Sequence, residues 1–333
     1  MKQYKVGLVG ATGMVGKVFV QLLAERKFPV SELRPFASDA SQGKKIELNN
    51  KSWEIKTLTT NCFEGLDLVF FSSGDDISKE WGPIAVKAGA YVIDNSAAFR
   101  MDPEIPLIVP EVNWTNEILK KPCLIANPNC STIQLVVALK PLRDSFGIED
   151  VRVSSYQAVS GAGQAGYDEL LDQTKKYPES ISSQTFARQI LFNCIPQIGS
   201  FDKDGFTSEE VKIMNETRKI LNEPKLKVSA FTVRVPALNA HSETVWVTLS
   251  KQINEEQIHQ ALSGKDGLVF IKDHNQYPTA LDVSGKDPVY VGRVHKDPND
   301  LKTWMLWIVS DNIKKGAALN GIQIAEKIIT AHD

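Results

Sequence analysis

The sequence predicts an α/β protein of two domains, a doubly wound parallel sheet first and an α+β domain with a largely antiparallel sheet second. Three observations carry that expectation. The chain has 333 residues, beyond the roughly 250–300 at which one hydrophobic core stops growing. Its first part alternates short apolar runs with helical stretches, the pattern of repeated strand–helix–strand units. After about residue 130 the runs lengthen and alternate in period two, as strands with one covered face do. The expected division is 1–129, with a C-terminal helix 312–333, and 130–311.

In the first part, Tyr4–Val9, Leu33–Ala37, Leu68–Ser72, Tyr91–Asp94 and Leu124–Ala126 read as strands. Several are almost continuously apolar, which fits strands buried on both faces of a parallel sheet. Val15–Glu25 and Ile77–Ala88 read as helices between them. In the second part, Thr132–Asp144 has helical periodicity. Val151–Val159, Val228–Val235, Thr244–Ser250, Val289–Val294 and Thr303–Ser310 read as strands, with helices at Ala165–Lys176 and Ser208–Leu221 on their covered face. Ala317–Ala331 is again helical and is expected to pack on the first domain.

A net charge of −2 supplies no basic stripe, so nucleic acid is not an expected partner. No run approaches the ~20 apolar residues of a membrane span. Met1–Gly10 enters a strand directly with no signal-peptide pattern, so a cytoplasmic protein is expected. Cys62, Cys123, Cys130 and Cys194 lack CxxC spacing, and no two of the five histidines share a helix face, so no metal site is expected.

Two segments suggest chemistry. Gly10-Ala11-Thr12-Gly13-Met14-Val15-Gly16 joins the first strand to the first helix. Glycines there permit a tight turn and close approach to a pyrophosphate, which the amides and positive dipole of the helix start then hold. This is a Rossmann-type dinucleotide signature. At the second strand tip, Asp39 would suit a free ribose hydroxyl, whereas Ser38, Ser41, Lys44 and Lys45 would suit a 2′-phosphate, so NADP is favoured. The second segment, Asn127-Pro128-Asn129-Cys130-Ser131-Thr132, puts a thiol at a helix start. Exposed amides and the helix dipole stabilise a thiolate there, and the same amides could hold an oxyanion. A proton-transfer partner and a fixed cation are offered by His241 and Arg234, seven residues apart at the ends of adjoining strands.

These residues also resemble a known family. GATGMVG, DNSAAFR ending at Arg100, NPNCST around Cys130, YQAVSGAG after Tyr156, SEEVK at Ser208–Lys212 and RVPALNAH ending at His241 are similar in type and order to motifs of the aspartate-semialdehyde dehydrogenase family, over essentially the whole chain. The resemblance implies NADPH-dependent reductive dephosphorylation of L-4-aspartyl phosphate to L-aspartate 4-semialdehyde through a Cys130 thioester, in biosynthesis of the aspartate family of amino acids. It implies His241 as the acid–base group and Gln157 as the residue orienting substrate and thioester. Arg234 would grip the substrate carboxylate, Glu209 its ammonium group, and Arg100, Lys212 and Asn129 the phosphate. Gly10, Thr12, Gly13, Met14 and Val15 would form the pyrophosphate loop, Ser38 and Ser41 the ribose end, Ser160 and Gly161 a cofactor-contacting turn, and Asn312 the nicotinamide contact. The family also implies a homodimer or homotetramer.

One position departs from the family pattern. After the second strand the family commonly carries an arginine that clamps the 2′-phosphate, and here that position is Ala40, preceded by Asp39. Loss of such a charged contact costs on the order of 1.5–3 kcal/mol. Use of NAD as well as NADP is therefore open.

Overall fold

The computed structural model describes residues 2–178 and 182–332. The chain divides into two compact units, 1–128 with 317–333, and 129–316.

The first unit is built on a five-stranded parallel sheet in the order β2-β1-β5-β6-β7. Its strands are β1 (Tyr4–Val9), β2 (Val30–Phe36), β5 (Leu68–Phe71), β6 (Tyr91–Asp94) and β7 (Leu124–Ala126). The apolar runs of β5 and β6 are buried throughout, because helices cover both faces. Helices α1 (Met14–Glu25), α2 (Asp75–Lys87) and a short α3 (Pro110–Asn113) connect the strands. Helix α9 (Leu319–His332) returns to this unit, placing Leu319, Ile322, Ala325 and Ile328 in one core with Phe19 and Phe70. Strand β2 begins three residues earlier than its apolar run suggests, since Val30–Glu32 are only half-buried at the sheet edge. A hairpin of β3 (Lys45–Leu48) and β4 (Lys51–Glu54) gave no sequence signal, because alternation with lysine and glutamate reads as a polar loop.

The second unit holds a six-stranded sheet ordered β11-β12-β13-β10-β8-β9. Its strands are β8 (Ile148–Gln157), β9 (Lys227–Arg234), β10 (His241–Leu249), β11 (Leu268–Phe270), β12 (Val289–Lys296) and β13 (Thr303–Ser310). The three inner pairings are antiparallel, as the alternation suggests, and the two outer ones, β8 with β9 and β11 with β12, are parallel, so the sheet is mixed. Both parallel pairs are joined through helical crossovers: α5 (Gly163–Lys176) and α6 (Ser208–Leu221) separate β8 from β9, and α8 (Ala280–Val283) separates β11 from β12. Helix α7 (Glu255–Leu262), which has an Asn254–Gln257 capping box, escaped the sequence reading because it is only eight residues long.

Helix α4 (Cys130–Phe146) lies centrally in this unit, against β10, β13 and α6. It is buried on every side from Ser131 to Leu139, and the run Leu135–Leu139 is accordingly apolar. Gly147, with φ +70°, ends it in a conformation that glycine adopts without strain.

Candidate active site

In the first unit, the β1–α1 turn has the geometry its glycines imply. Gly10 sits at φ +82°, and a Cβ there would lie 2.5 Å from the Ser72 carbonyl oxygen. A Cβ on Gly16 would lie 2.3 Å from the Gly10 carbonyl, so strand and helix approach only because both are glycine. Helix α1 begins at Met14 with Gly13 as its N-cap, no side-chain capping bond and no acidic residue in its first turn. Thr12 and Gly13 are exposed and Met14 and Val15 half-buried. Such a helix start presents amides and a positive dipole to an anion.

Beyond β2, Ser38 caps a 3-10 turn over Asp39–Ser41 without a side-chain bond, and Asp39, Ala40, Lys44 and Lys45 are exposed. Sequence reasoning missed two residues at the end of β5: the hydroxyls of Ser72 and Ser73 are buried and have no hydrogen-bond partner among the described residues. Orphaned hydroxyls beside the glycine turn, together with a cradle that a Cβ would fill, fit a bound dinucleotide. The available signal was the Ser-Ser-Gly run at a strand–helix junction.

Arg100 follows β6 and is 7% exposed, its Nη2 donating to the Asn95 carbonyl at 2.8 Å. Buried Asp94 anchors this loop: its carboxylate accepts from the Ser78 hydroxyl at 2.7 Å and the Ser96 hydroxyl at 2.6 Å. Burial pushes the Asp94 carboxyl up, against these hydrogen bonds and the nearby Arg100 charge.

In the second unit, the sheet register gathers the remaining residues. Gln157 pairs with Arg234 across β8 and β9. His241 lies one step beyond the Ser242–Tyr156 pair, in line with Gln157. Arg234, Gln157 and His241 therefore form a row on the sheet face covered by α4 and α6. All three are buried, at 5%, 1% and 0% exposure.

Cys130 is the first residue of α4 and Asn129 its N-cap. The Asn129 side-chain oxygen accepts from the Ser131 and Thr132 amides at 2.9 and 3.2 Å. This corrects one expectation: two first-turn amides that could have held an oxyanion are already satisfied, because asparagine is among the strongest N-caps. The helix dipole still acts on the Cys130 sulfur. Asn129 also donates through Nδ2 to Glu209 at 2.8 Å, and its own amide donates to Glu216 at 2.7 Å. Its side-chain oxygen is thus committed to positioning Cys130.

Glu209, in the first turn of α6, joins the set: its Oε1 also accepts from Gln157 Nε2 at 3.2 Å, and Lys212 Nζ lies 3.7 Å from its Oε2. The i,i+3 pair on α6 and the strand glutamine thus meet at one carboxylate. Arg234 donates to the Ala158 carbonyl at 2.7 Å. Burial lowers its basicity, while the neighbouring Glu209 and Cys130 charges raise it.

His241 accepts the Ala158 N–H on Nδ1 at 3.1 Å. Its neutral form therefore carries the proton on Nε2, which has no hydrogen-bond partner among the described residues. Burial first, and then the Arg234 charge, hold the imidazole well below its ordinary 6.5. Preceding Ala240 has φ +67°, a conformation costing about 1 kcal/mol or more in a non-glycine residue. Asn312 holds it by accepting the Ala240 N–H at 2.9 Å, while its Nδ2 donates to the Ser160 hydroxyl at 3.0 Å. Asn312 and Ser160 thus brace the histidine's turn. Gly161 stands against the reactive row: a Cβ there would lie 2.6 Å from Arg234 Nη1 and 3.1 Å from His241 Nε2. A Cβ on Gly316 would likewise lie 2.8 Å from the Cys130 Cβ.

Comparison with known proteins shows the family of the chain. The semialdehyde dehydrogenase NAD-binding domain model matches residues 5–121, and the semialdehyde dehydrogenase dimerisation domain model matches residues 139–315. The aspartate-semialdehyde dehydrogenase of Aquifex aeolicus is 46% identical over 98% of this chain and 98% of its own length. Aspartate-semialdehyde dehydrogenase 2 of Vibrio cholerae is 45% identical over the same shares. Among solved structures, aspartate semialdehyde dehydrogenase II of Vibrio cholerae, complexed with ASA, superposes with a TM-score of 0.94 at 43% identity, covering 99% of both chains. The Candida albicans aspartate semialdehyde dehydrogenase with NADP gives a TM-score of 0.75 at 26% identity over 98% of each.

Proposed function

The chain belongs to the semialdehyde dehydrogenase family, and on that premise we propose that it is an oxidoreductase converting L-4-aspartyl phosphate to L-aspartate 4-semialdehyde through a thioester on Cys130. The observation that carries this reading is a thiol at the head of α4, capped by Asn129, with Arg234, Gln157 and His241 aligned on adjoining strands of the same unit.

The Cys130 thiolate attacks the acyl carbon, a C–S bond forms, the C–O bond to phosphorus breaks, and phosphate leaves. The β1–α1 turn, with Ser72 and Ser73, would hold a nicotinamide dinucleotide, which would supply the two electrons that reduce the acyl group. Collapse of the reduced adduct frees the semialdehyde and returns the thiolate. Neutral His241 presents Nε2–H, so it donates a hydrogen bond or proton to the oxygen on which charge develops. That role suits an imidazole whose charge burial disfavours. Arg234 offers a planar fork for the substrate carboxylate, and Glu209 a buried negative charge for its ammonium group. Gln157, tied to Glu209, orients the acyl group. Lys212 and Arg100 each supply a cation for phosphate.

NADP is the proposed cofactor. Ser38, Ser41, Lys44 and Lys45 offer donors for a 2′-phosphate, and Ala40 weakens that preference enough to leave NAD as a poorer second cofactor. Copies of the chain are proposed to pair through the sheet face opposite the reactive row, where Tyr156 and Phe231 stay 36% and 56% exposed. Among the described residues no helix is long and apolar enough to cross a membrane, and the site of action is proposed to be the cytoplasm.

The test is phosphate-dependent reduction of NADP with aspartate semialdehyde, with arsenate replacing phosphate as a control. Cys130→Ala should abolish turnover while fold and cofactor binding persist. Substantial residual turnover in that variant rejects the covalent route.

A further inference from the structure

Strand β9 carries Arg234 and is the last strand of its sheet, so no strand of that sheet lies outside it among the described residues. Backbone groups buried on such an edge need other partners. Arg234 finds one in Ile195: its N–H donates to the Ile195 carbonyl at 2.8 Å, and its carbonyl accepts the Ile195 N–H at 2.9 Å. At Thr232, two residues earlier on the same edge, the partner is a side chain. Glu210 Oε1 accepts the Thr232 N–H at 2.9 Å, and Glu210 Oε2 accepts the Thr207 N–H at 2.7 Å. Thr207 is the N-cap of α6, and its hydroxyl lies 3.2 Å from that of Thr232. At the other end of α6, Arg218 donates to the Leu226 and Val228 carbonyls at 2.8 and 3.3 Å. Helix α6 is thus fastened along β9 by its own side chains, and Glu210, Thr207 and Thr232 are all buried.

The reaction as written gives Glu210 no part, but it does use its neighbour. Consecutive residues of one helical turn grip different elements. Glu210 holds β9, while Glu209 meets Gln157 of β8 at 3.2 Å and Asn129 ahead of α4 at 2.8 Å. We propose that Glu210 is a positioning residue: with one oxygen on the N-cap amide of α6 and the other on the edge of β9, it sets where Glu209 stands relative to Arg234. That spacing decides specificity. The ammonium and carboxylate of an α-amino acid sit on one carbon, so their two partners bind both at once only when held at a fixed separation. A substrate without the amino group needs the arginine alone. Glu210 touches no reacting atom, and its effect passes through Glu209.

The inference rests on the proposed roles of Glu209 and Arg234 toward the substrate, which Glu209→Gln tests separately. The probes are aspartate semialdehyde, followed by its KM, and succinate semialdehyde, the same chain without the amino group, followed by its inhibition constant. Glu210→Gln keeps the size of the side chain but turns an amide NH2 towards one of the two N–H groups. It should raise the KM for aspartate semialdehyde about tenfold or more. The inhibition constant of succinate semialdehyde should hold within about threefold, because Arg234 keeps its Ile195 pairing. Glu209→Gln should act in the same way, and adding Glu210→Gln to it should change the KM by no more than about twofold, since both work through one carboxylate. Thr207→Val removes only the N-cap hydroxyl, should raise the KM about threefold, and serves if Glu210→Gln does not fold. Three results overturn the proposal: a native KM in Glu210→Gln or, failing that variant, in Thr207→Val; an equal rise for both semialdehydes; or effects of Glu209→Gln and Glu210→Gln that multiply in full. A native KM in Glu209→Gln removes the ammonium assignment itself, and the proposal with it.

Discussion

Gly161→Ala adds a single methyl beside Arg234 and His241, the two side chains proposed to handle the substrate. The added Cβ would sit 2.6 Å from Arg234 Nη1 and 3.1 Å from His241 Nε2, whereas comfortable contact begins near 3.5 Å. Something must therefore move by about 1 Å. The histidine is 0% exposed and fixed by the Ala158 N–H, so the arginine yields more easily. Its Nη1 donates to the Ala158 carbonyl at 2.7 Å, and a shift of about 1 Å takes that contact beyond hydrogen-bond range. Loss of one charged hydrogen bond costs about 1.5–3 kcal/mol, equivalent to about 10- to 150-fold in kcat/KM. Steady-state kinetics with aspartate semialdehyde, phosphate and NADP would show the loss in both kcat and the KM for the semialdehyde, as the proposed role of Arg234 in binding and orienting the substrate requires. The KM for NADP should hold. A Gly161→Ala enzyme with kcat/KM within about threefold of native would refute the crowding argument and the assignment of Arg234 to the substrate.

Three further outcomes are expected. His241 titrates well below its ordinary 6.5, so the unfolded chain binds a proton that the fold refuses, and stability falls as pH drops through about 6.5 towards the depressed folded value. Melting temperatures from pH 8 to 5 should record this, and His241→Gln should flatten the slope; an equal slope in the variant would falsify it. Glu243 has the opposite sign: its carboxyl is neutral in the fold but ionises above about 4.5 when unfolded, so its contribution is full at low pH and erodes as pH rises towards the raised folded value. Glu243→Gln should therefore gain melting temperature over the native protein increasingly from pH 5 to 8, and a constant offset would count against a neutral buried carboxyl. Ala40→Arg restores a guanidinium at the ribose end and should raise the NADP-over-NAD ratio of kcat/KM by about tenfold or more; no change would place the 2′-phosphate elsewhere.

The elements legible in the sequence were those whose signals are local. Apolar runs marked β1, β5 and β6, because a strand covered on both faces needs no polar residue. Period two marked β8, β9 and β10, where burial alternates residue by residue through most of each strand. The glycine turn and the asparagine ahead of Cys130 were readable because backbone approach and helix capping act within a few residues. Elements whose stability comes from partners elsewhere in the chain were silent, such as the charged β3–β4 hairpin and the short α7.

The chain's own letters decided that a thiol would begin a helix and that a dinucleotide-shaped turn would follow the first strand. They could not decide which atoms would be spent. Asn129 and Glu209 meet at 2.8 Å although they are 80 residues apart, and Ala158 meets His241 at 3.1 Å across 83. The second contact exists only once β8 lies between β9 and β10, since strand register, and not sequence distance, brings Arg234, Gln157 and His241 into one row. Nor could sequence show that Ser131 and Thr132 give their amides to Asn129, or that Glu243 comes to rest one rung beneath the histidine. Whether a polar group binds substrate, caps a helix or braces a neighbour depends on who stands within about 3 Å, and only the folded chain sets that.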